Sequence, residues 1–221
     1  MAERLRFSAA AAYRHLRQVD PVVGRLIEEH GPYRPRPAMD HYESLLRTVM
    51  FQQLNGRAAS AIQERWMGLY GGRYPTPSEL LATTDEAFRA VGVSRQKSGY
   101  LRDIAERMLS GALDFRRLDE MSDEAIVEQV TAVKGLGEWS AHMFLMFQLG
   151  RPDVLPIGDF GVRNGMRLAY GLREMPSPAR AREIGAPWEP YRSVGAWYMW
   201  RATEGITEYV SDTEPEATPA G

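Results

Sequence analysis

The 221-residue chain contains no cysteine. That excludes disulfides, thiolate zinc sites and a cysteine-ligated iron–sulfur cluster together. Lysine is nearly absent. All but two of the 27 basic residues are arginine, the exceptions being Lys97 and Lys134. Histidine is scarce, and His15, His30, His41 and His142 are scattered without metal-ligand spacing. No apolar run reaches transmembrane length, and no apolar signal-peptide core follows the N-terminus. A cytoplasmic protein with no membrane partner is therefore expected. Strand-like alternation is missing too. Excess positive charge is also missing: the net charge is −2, which argues mildly against a nucleic-acid partner. Two features weigh the other way. Arginine favours bidentate contact with phosphate, and the acidic run from Glu204 to Glu216 can offset a basic face elsewhere.

Helical periodicity runs through most of the chain. With 44% hydrophobic and 25% charged residues, the chain has core enough for one compact unit or two closely packed subdomains. Residues 8–19 are an Ala-rich helix. Asp20-Pro21 supplies an N-cap and a first-turn proline for the next helix, with Gly31 as its stop. Asp40-His-Tyr-Glu43 is a capping-box-like start. Tyr42, Leu45, Leu46 and Val49 then fall at i, i+3, i+4, i+7 and form a buried stripe. Further helices are read at Arg57–Tyr70, from Thr76, over Thr84–Ala90 and from Ser94. In the last of these Leu101, Ile104, Ala105 and Met108 form the stripe, while Arg95 and Lys97 belong to a solvated face. Phe160–Leu172, a short helix from Ser177-Pro178 and Tyr191–Arg201 complete an all-α fold of roughly ten helices. Residues 211–221, rich in Glu, Thr, Pro and Ala, are expected to be disordered.

The most informative stretch runs from Val133 through Lys-Gly-Leu-Gly-Glu-Trp to Gly150, then Arg-Pro-Asp-Val-Leu-Pro-Ile-Gly-Asp159. Gly135 and Gly137 flank Leu136. That spacing suits a tight turn with a positive φ or a close approach to another group. A capped helix from Ser122 precedes the turn, and a second helix should begin at Glu138. Backbone amides at such a turn and at a helix N-terminus can cradle one phosphate oxygen. On the residues alone, Asp159 is a helix cap, Asp153 a turn residue, Gln52-Gln53-Leu54 a helix end, and Trp139 and Trp200 ordinary helical core.

The whole run through Pro-Ile-Gly-Asp-Phe-Gly-Val-Arg163 resembles the helix–hairpin–helix DNA glycosylases, and within them the 3-methyladenine DNA glycosylase II (alkylpurine) branch. The motif covers about thirty residues, with weaker echoes over most of 35–205. The resemblance implies an all-α glycosylase unit over 1–210, with two interleaved helical subdomains flanking an active-site cleft and the hairpin at about 123–150. It implies a monomer that binds double-stranded DNA carrying alkylated bases. It also implies base flipping and excision of 3-methyladenine- and 7-methylguanine-type purines in base excision repair. It implies that no cofactor is required.

The resemblance also implies residue roles. Asp159 is the catalytic carboxylate, which stabilises the sugar cation and orients water. Leu54 is the wedge that fills the gap left by the flipped base, with Gln53 beside it. Gly135, Leu136 and Gly137 grip backbone. The carbonyls of Thr131, Val133 and Leu136 match positions that hold a Na⁺ or K⁺ ion in the family. Trp139, Trp200 and Phe160 match pocket-wall positions, where electron-rich rings suit cationic alkylpurines. Bifunctional relatives carry a Schiff-base Lys where this chain has Trp139, so a monofunctional enzyme that leaves an abasic site is implied. Two departures stand out. The branch often has an aromatic residue where this chain has Met143, and often an additional N-terminal β-rich domain for which this chain has no room. Two other readings stay open: a non-catalytic helix–hairpin–helix module that only grips backbone, and a glycosylase for a different base lesion.

Overall fold

The computed structural model describes residues 6–34, 39–54 and 56–204. The acidic tail expected to be disordered lies outside them. The described residues form helices and turns, with no strand among them. In chain order the α-helices are α1 (Ala9–Val19), α2 (Pro21–His30), α3 (His41–Phe51), α4 (Gly56–Gly68), α5 (Pro77–Ala82), α6 (Asp85–Ala90), α7 (Arg95–Ser110), α8 (Asp123–Thr131), α9 (Glu138–Met143), α10 (Phe160–Ala169), α11 (Pro178–Gly185) and α12 (Arg192–Arg201). A π-helical turn, Phe144–Gln148, continues α9, and a 3₁₀ turn, Ala186–Trp188, follows α11.

The starts of these helices follow local chemistry. Ser8, Asp20, Asp40, Thr76, Thr84, Ser94, Ser122, Asp159 and Ser177 each accept a backbone N–H of the first turn with the side chain. Thr76 and Glu79 complete a reciprocal capping box. The helix expected from Glu138 begins there and then widens into the π turn. Gln148, at its end, is buried, and its amide bonds the backbone of Met39 and Nδ1 of His41. A polar side chain buried in an apolar run must find such partners, and apolar periodicity alone does not reveal the change of turn.

The chain divides into two compact units. Of the described residues, 39–149 fall in the first and 6–34 with 150–204 in the second. The first unit has its core where α3 (Leu45, Leu46, Val49, Met50) and α7 (Leu101, Ile104, Ala105) bury their apolar stripes, with Trp66 of α4 fully enclosed.

In the second unit Leu16, Val23, Val162, Met166, Trp188, Tyr198 and Met199 are sealed from solvent. Asp20 is buried among them. It caps α2 and also accepts from Trp188 Nε1 at 2.8 Å and from the Tyr170 hydroxyl, so its lone pairs are satisfied. Helices α10 and α12 pack backbone to backbone. A Cβ on Gly165 would lie 1.9 Å from the Met199 carbonyl oxygen, and one on Gly161 would lie 2.7 Å from the Trp200 ring. These two glycines, one helical turn apart, let α12 carry Trp200 against the first turn of α10.

Candidate functional site

In the first unit, two turns and one cavity gather most of the sequence-predicted residues. The hairpin between α8 and α9 is built as the Gly-Leu-Gly spacing predicts, but its two glycines serve different needs. Gly135 takes φ +80°, and the Tyr100 ring of α7 lies so close that a Cβ there would sit 2.2 Å from it. Gly137 has φ −105°, which any residue adopts, and open space where a Cβ would go. Nothing within the described fold requires glycine at 137. Leu136 is buried beneath the turn. Asp103, almost fully buried, anchors the hairpin: its Oδ2 accepts the Lys134 amide at 2.9 Å and the Arg107 guanidinium at 2.8 Å. Burial raises the Asp103 carboxyl, but the Lys134 amide and Arg107 outweigh it and hold the group below the usual carboxylate range.

The Gln52-Gln53-Leu54 turn closes α3. Gln53 is the one non-glycine residue with positive φ, +56°, among the described residues. That strain marks a turn fixed by its surroundings. Leu54 is 38% exposed at the tip. Gln52 Nε2 donates to the Gly135 carbonyl at 2.8 Å, tying this turn to the hairpin.

Lys97 departs from the solvated face expected of it. Its Nζ donates to the Met50 carbonyl at 2.7 Å, and burial lowers its pKa. Arg95 is exposed as expected. Lys97, Tyr100 and Asp103 lie three residues apart on α7, so one helix face supports both turns.

The cavity, of about 740 Å³, is lined by Trp139, Met143, Gln53 and Gly135, together with Arg47, Phe51, Lys97 and Phe147. Trp139 is 49% exposed and so is not the packed core residue that a helical Trp usually is. Sequence reasoning missed Arg47. Its guanidinium lies 4.0 Å from the centre of the Phe51 ring, and the i, i+4 spacing of the pair was the available signal.

In the second unit Asp159 caps α10. Its Oδ1 accepts the Val162 amide at 2.7 Å and the Trp200 indole N–H at 2.8 Å. Trp200 therefore touches the carboxylate directly, a contact that sequence spacing could not give. Phe160 is 69% exposed beside it. Asp153 is occupied elsewhere: Arg192 clasps both its oxygens at 2.7 Å, leaving it a structural ion pair.

Thr131, Val133 and Leu136 sit at the end of α8 and in the hairpin. The Val133 carbonyl accepts the Leu136 amide at 3.1 Å. Among the described residues no group of three or more His, Asp or Glu is placed to hold a metal ion. Among the described residues no helix is long and apolar enough to cross a membrane.

The chain is similar to known proteins. Residues 46–190 match the family described as "HhH-GPD superfamily base excision DNA repair protein". DNA-3-methyladenine glycosylase 1 of Schizosaccharomyces pombe is 34% identical over 219 residues, 97% of this chain and 96% of that protein. A structure titled as the S. pombe 3-methyladenine DNA glycosylase (Mag1) in complex with abasic DNA matches with TM-score 0.79 and 35% identity, over 87% of this chain and 96% of that one. A DNA-3-methyladenine glycosidase from Bacillus halodurans matches with TM-score 0.81 and 36% identity, over 89% and 91% of the two chains. The chain belongs to the helix–hairpin–helix (HhH-GPD) superfamily of base excision DNA repair proteins, in its alkylpurine branch.

Proposed function

We propose that this protein is a monofunctional DNA glycosylase that binds duplex DNA, flips out alkylated purines and hydrolyses their N-glycosidic bond, leaving an abasic site. The observation that carries this reading is Asp159, held by the α10 amide of Val162 and the indole of Trp200. A carboxylate fixed by two donors is pre-set to stabilise a sugar cation and orient the attacking water. A module that only grips backbone needs no such group. The residue at 139 is Trp, so that position supplies no amine for a Schiff base.

The roles divide between the units. In the first, Leu54 on its fixed turn is the wedge with Gln53 beside it, and the cavity with Trp139 and Met143 takes the flipped base. The hairpin of Gly135, Leu136 and Gly137 meets a phosphate through the amides of its two glycines, since the Leu136 amide is bonded to the Val133 carbonyl. The bare backbone at Gly137, where the fold itself asks for no glycine, supports a close approach by DNA. The carbonyls of Thr131, Val133 and Leu136 fit a Na⁺ or K⁺ ion. All three are backbone oxygens at or just beyond the negative end of the α8 dipole, and Val133 keeps a second lone pair. When bound, that ion adds positive charge for the phosphate. In the second unit Asp159 acts on the sugar, with Trp200 and Phe160 as the aromatic residues beside it. Residues 1–210 act as one monomeric catalytic unit on cytoplasmic DNA, with no cofactor for the chemistry.

A panel of single-lesion duplexes tests this. Release of 3-methyladenine and 7-methylguanine with intact abasic product, little release of 8-oxoguanine, and no adduct trapped by borohydride are expected. A trapped adduct that survives Lys134→Ala refutes the monofunctional class.

A further inference from the structure

Arg47 has no part in the roles above, and its surroundings are unusual. It is half-buried, its guanidinium carbon lies over the Phe51 ring 4.0 Å from the centroid, and it makes no hydrogen bond or ion pair with any described residue. It lines the same cavity as Trp139 and Met143. Lys97 is the other cation there, with one of its protons committed to the Met50 carbonyl, and none of the lining residues is acidic. A positively charged wall is a poor match for a cationic base in its ground state, because like charges in a partly desolvated cavity repel. The reaction removes that mismatch. When the C1′–N bond breaks, its electron pair goes to the base and the positive charge stays on the sugar. Water then adds at C1′ and gives up a proton.

A cationic alkylpurine leaves as a neutral base. A neutral lesion leaves as an anion that later takes a proton from solvent. The base loses one unit of positive charge in both cases.

We propose that Arg47 sits against the flipped base and stabilises its departure electrostatically, for cationic and neutral lesions alike. The contact with the Phe51 ring holds the guanidinium in place, so its position needs no salt-bridge partner that would neutralise it. The inference rests on the reading of this cavity as the base pocket. It carries a kinetic signature that packing alone cannot produce. With a neutral lesion, Arg47 raises the maximal rate and leaves ground-state binding nearly unchanged. With a cationic lesion, it raises the maximal rate but weakens ground-state binding.

The test is single-turnover base release from duplexes carrying 7-methylguanine or hypoxanthine, for wild type, Arg47→Gln, Arg47→Lys and Trp139→Ala. Arg47→Gln should lower the maximal rate on both lesions by roughly tenfold. That is less than the loss of a fully buried oxyanion donor, because Arg47 is partly solvated. It should leave half-saturation unchanged for hypoxanthine and tighten it for 7-methylguanine, and Arg47→Lys should recover most of the rate. If Arg47→Gln changes neither rate, or weakens half-saturation equally on both lesions as a phosphate contact would, while Trp139→Ala impairs release, the inference fails and the base pocket stands. If neither Arg47→Gln nor Trp139→Ala alters release, the base lies elsewhere, and the pocket reading fails with the inference.

Discussion

Replacing Trp200 by Phe removes one atom group that matters, the indole N–H, and keeps an aromatic ring over Gly161. The bond lost is the 2.8 Å donation to Asp159 Oδ1, leaving the 2.7 Å bond from Val162. Hydrogen bonds to a charged partner contribute about 1.5–3 kcal/mol, and both groups here are partly exposed, so the lower end applies. About 1.4 kcal/mol of lost orientation corresponds to a roughly tenfold slower chemical step. The loss should be uniform, because Asp159 meets the same sugar whatever base leaves. The assay is single-turnover release of 7-methylguanine and of hypoxanthine, with duplex affinity measured in parallel. Affinity should change little. Unchanged rates on both lesions would refute the positioning role of the indole N–H. A loss confined to 7-methylguanine would show instead that Trp200 works through the face of its ring as a partner for cationic bases.

Three further outcomes follow from the first unit. Gly137→Val should leave the melting temperature near wild type, since φ is ordinary and the space is open, yet weaken binding to damaged and undamaged duplexes alike. Gly135→Ala should lower stability by about 1–3 kcal/mol, through its positive φ and the Tyr100 ring. Asp103→Asn should cost about 1–3 kcal/mol near neutral pH by removing the buried charge to which the Lys134 amide and the Arg107 guanidinium donate. The Asp103 carboxyl is depressed in the folded state. Its stabilisation is therefore complete above its unfolded value and drains as pH falls through the folded one. Melting curves from about pH 6 down to about pH 2 should show a shallower acid limb for Asp103→Asn, and an unchanged slope would contradict the linkage.

Much of the fold was legible because it is written locally. Capping residues such as Asp20, Thr76 and Ser122 and the stripe from Tyr42 to Val49 depend only on neighbours a turn away, and they appear where the sequence places them. Positive φ at Gly135 was legible for the same reason. Contacts across long sequence separations were not. Nothing in the spacing of Trp200 and Asp159 says that they bond, because that depends on Gly161 and Gly165 letting α12 approach α10. Lys97 looked like a surface charge because periodicity cannot see the Met50 carbonyl. The π turn at Phe144–Gln148 was hidden because apolar residues satisfy either helical period. Arg47 stood on an ordinary amphipathic helix, and only the cavity beside it distinguishes it from a solvated arginine.

The central claim is that Asp159 performs the chemistry. The most direct measurement is the rate of 7-methylguanine release by Asp159→Asn, beside Asp153→Asn, with binding to an abasic-site duplex measured for both. Asn keeps the size of the side chain and an oxygen that can still cap α10, so folding and binding should persist while release falls by orders of magnitude. Asp153→Asn weakens the clasp by Arg192, lowering the melting temperature but leaving activity per folded molecule near wild type. Near-wild-type release by Asp159→Asn, with loss in Asp153→Asn at intact fold, would contradict the claim and move the carboxylate of this reaction to Asp153.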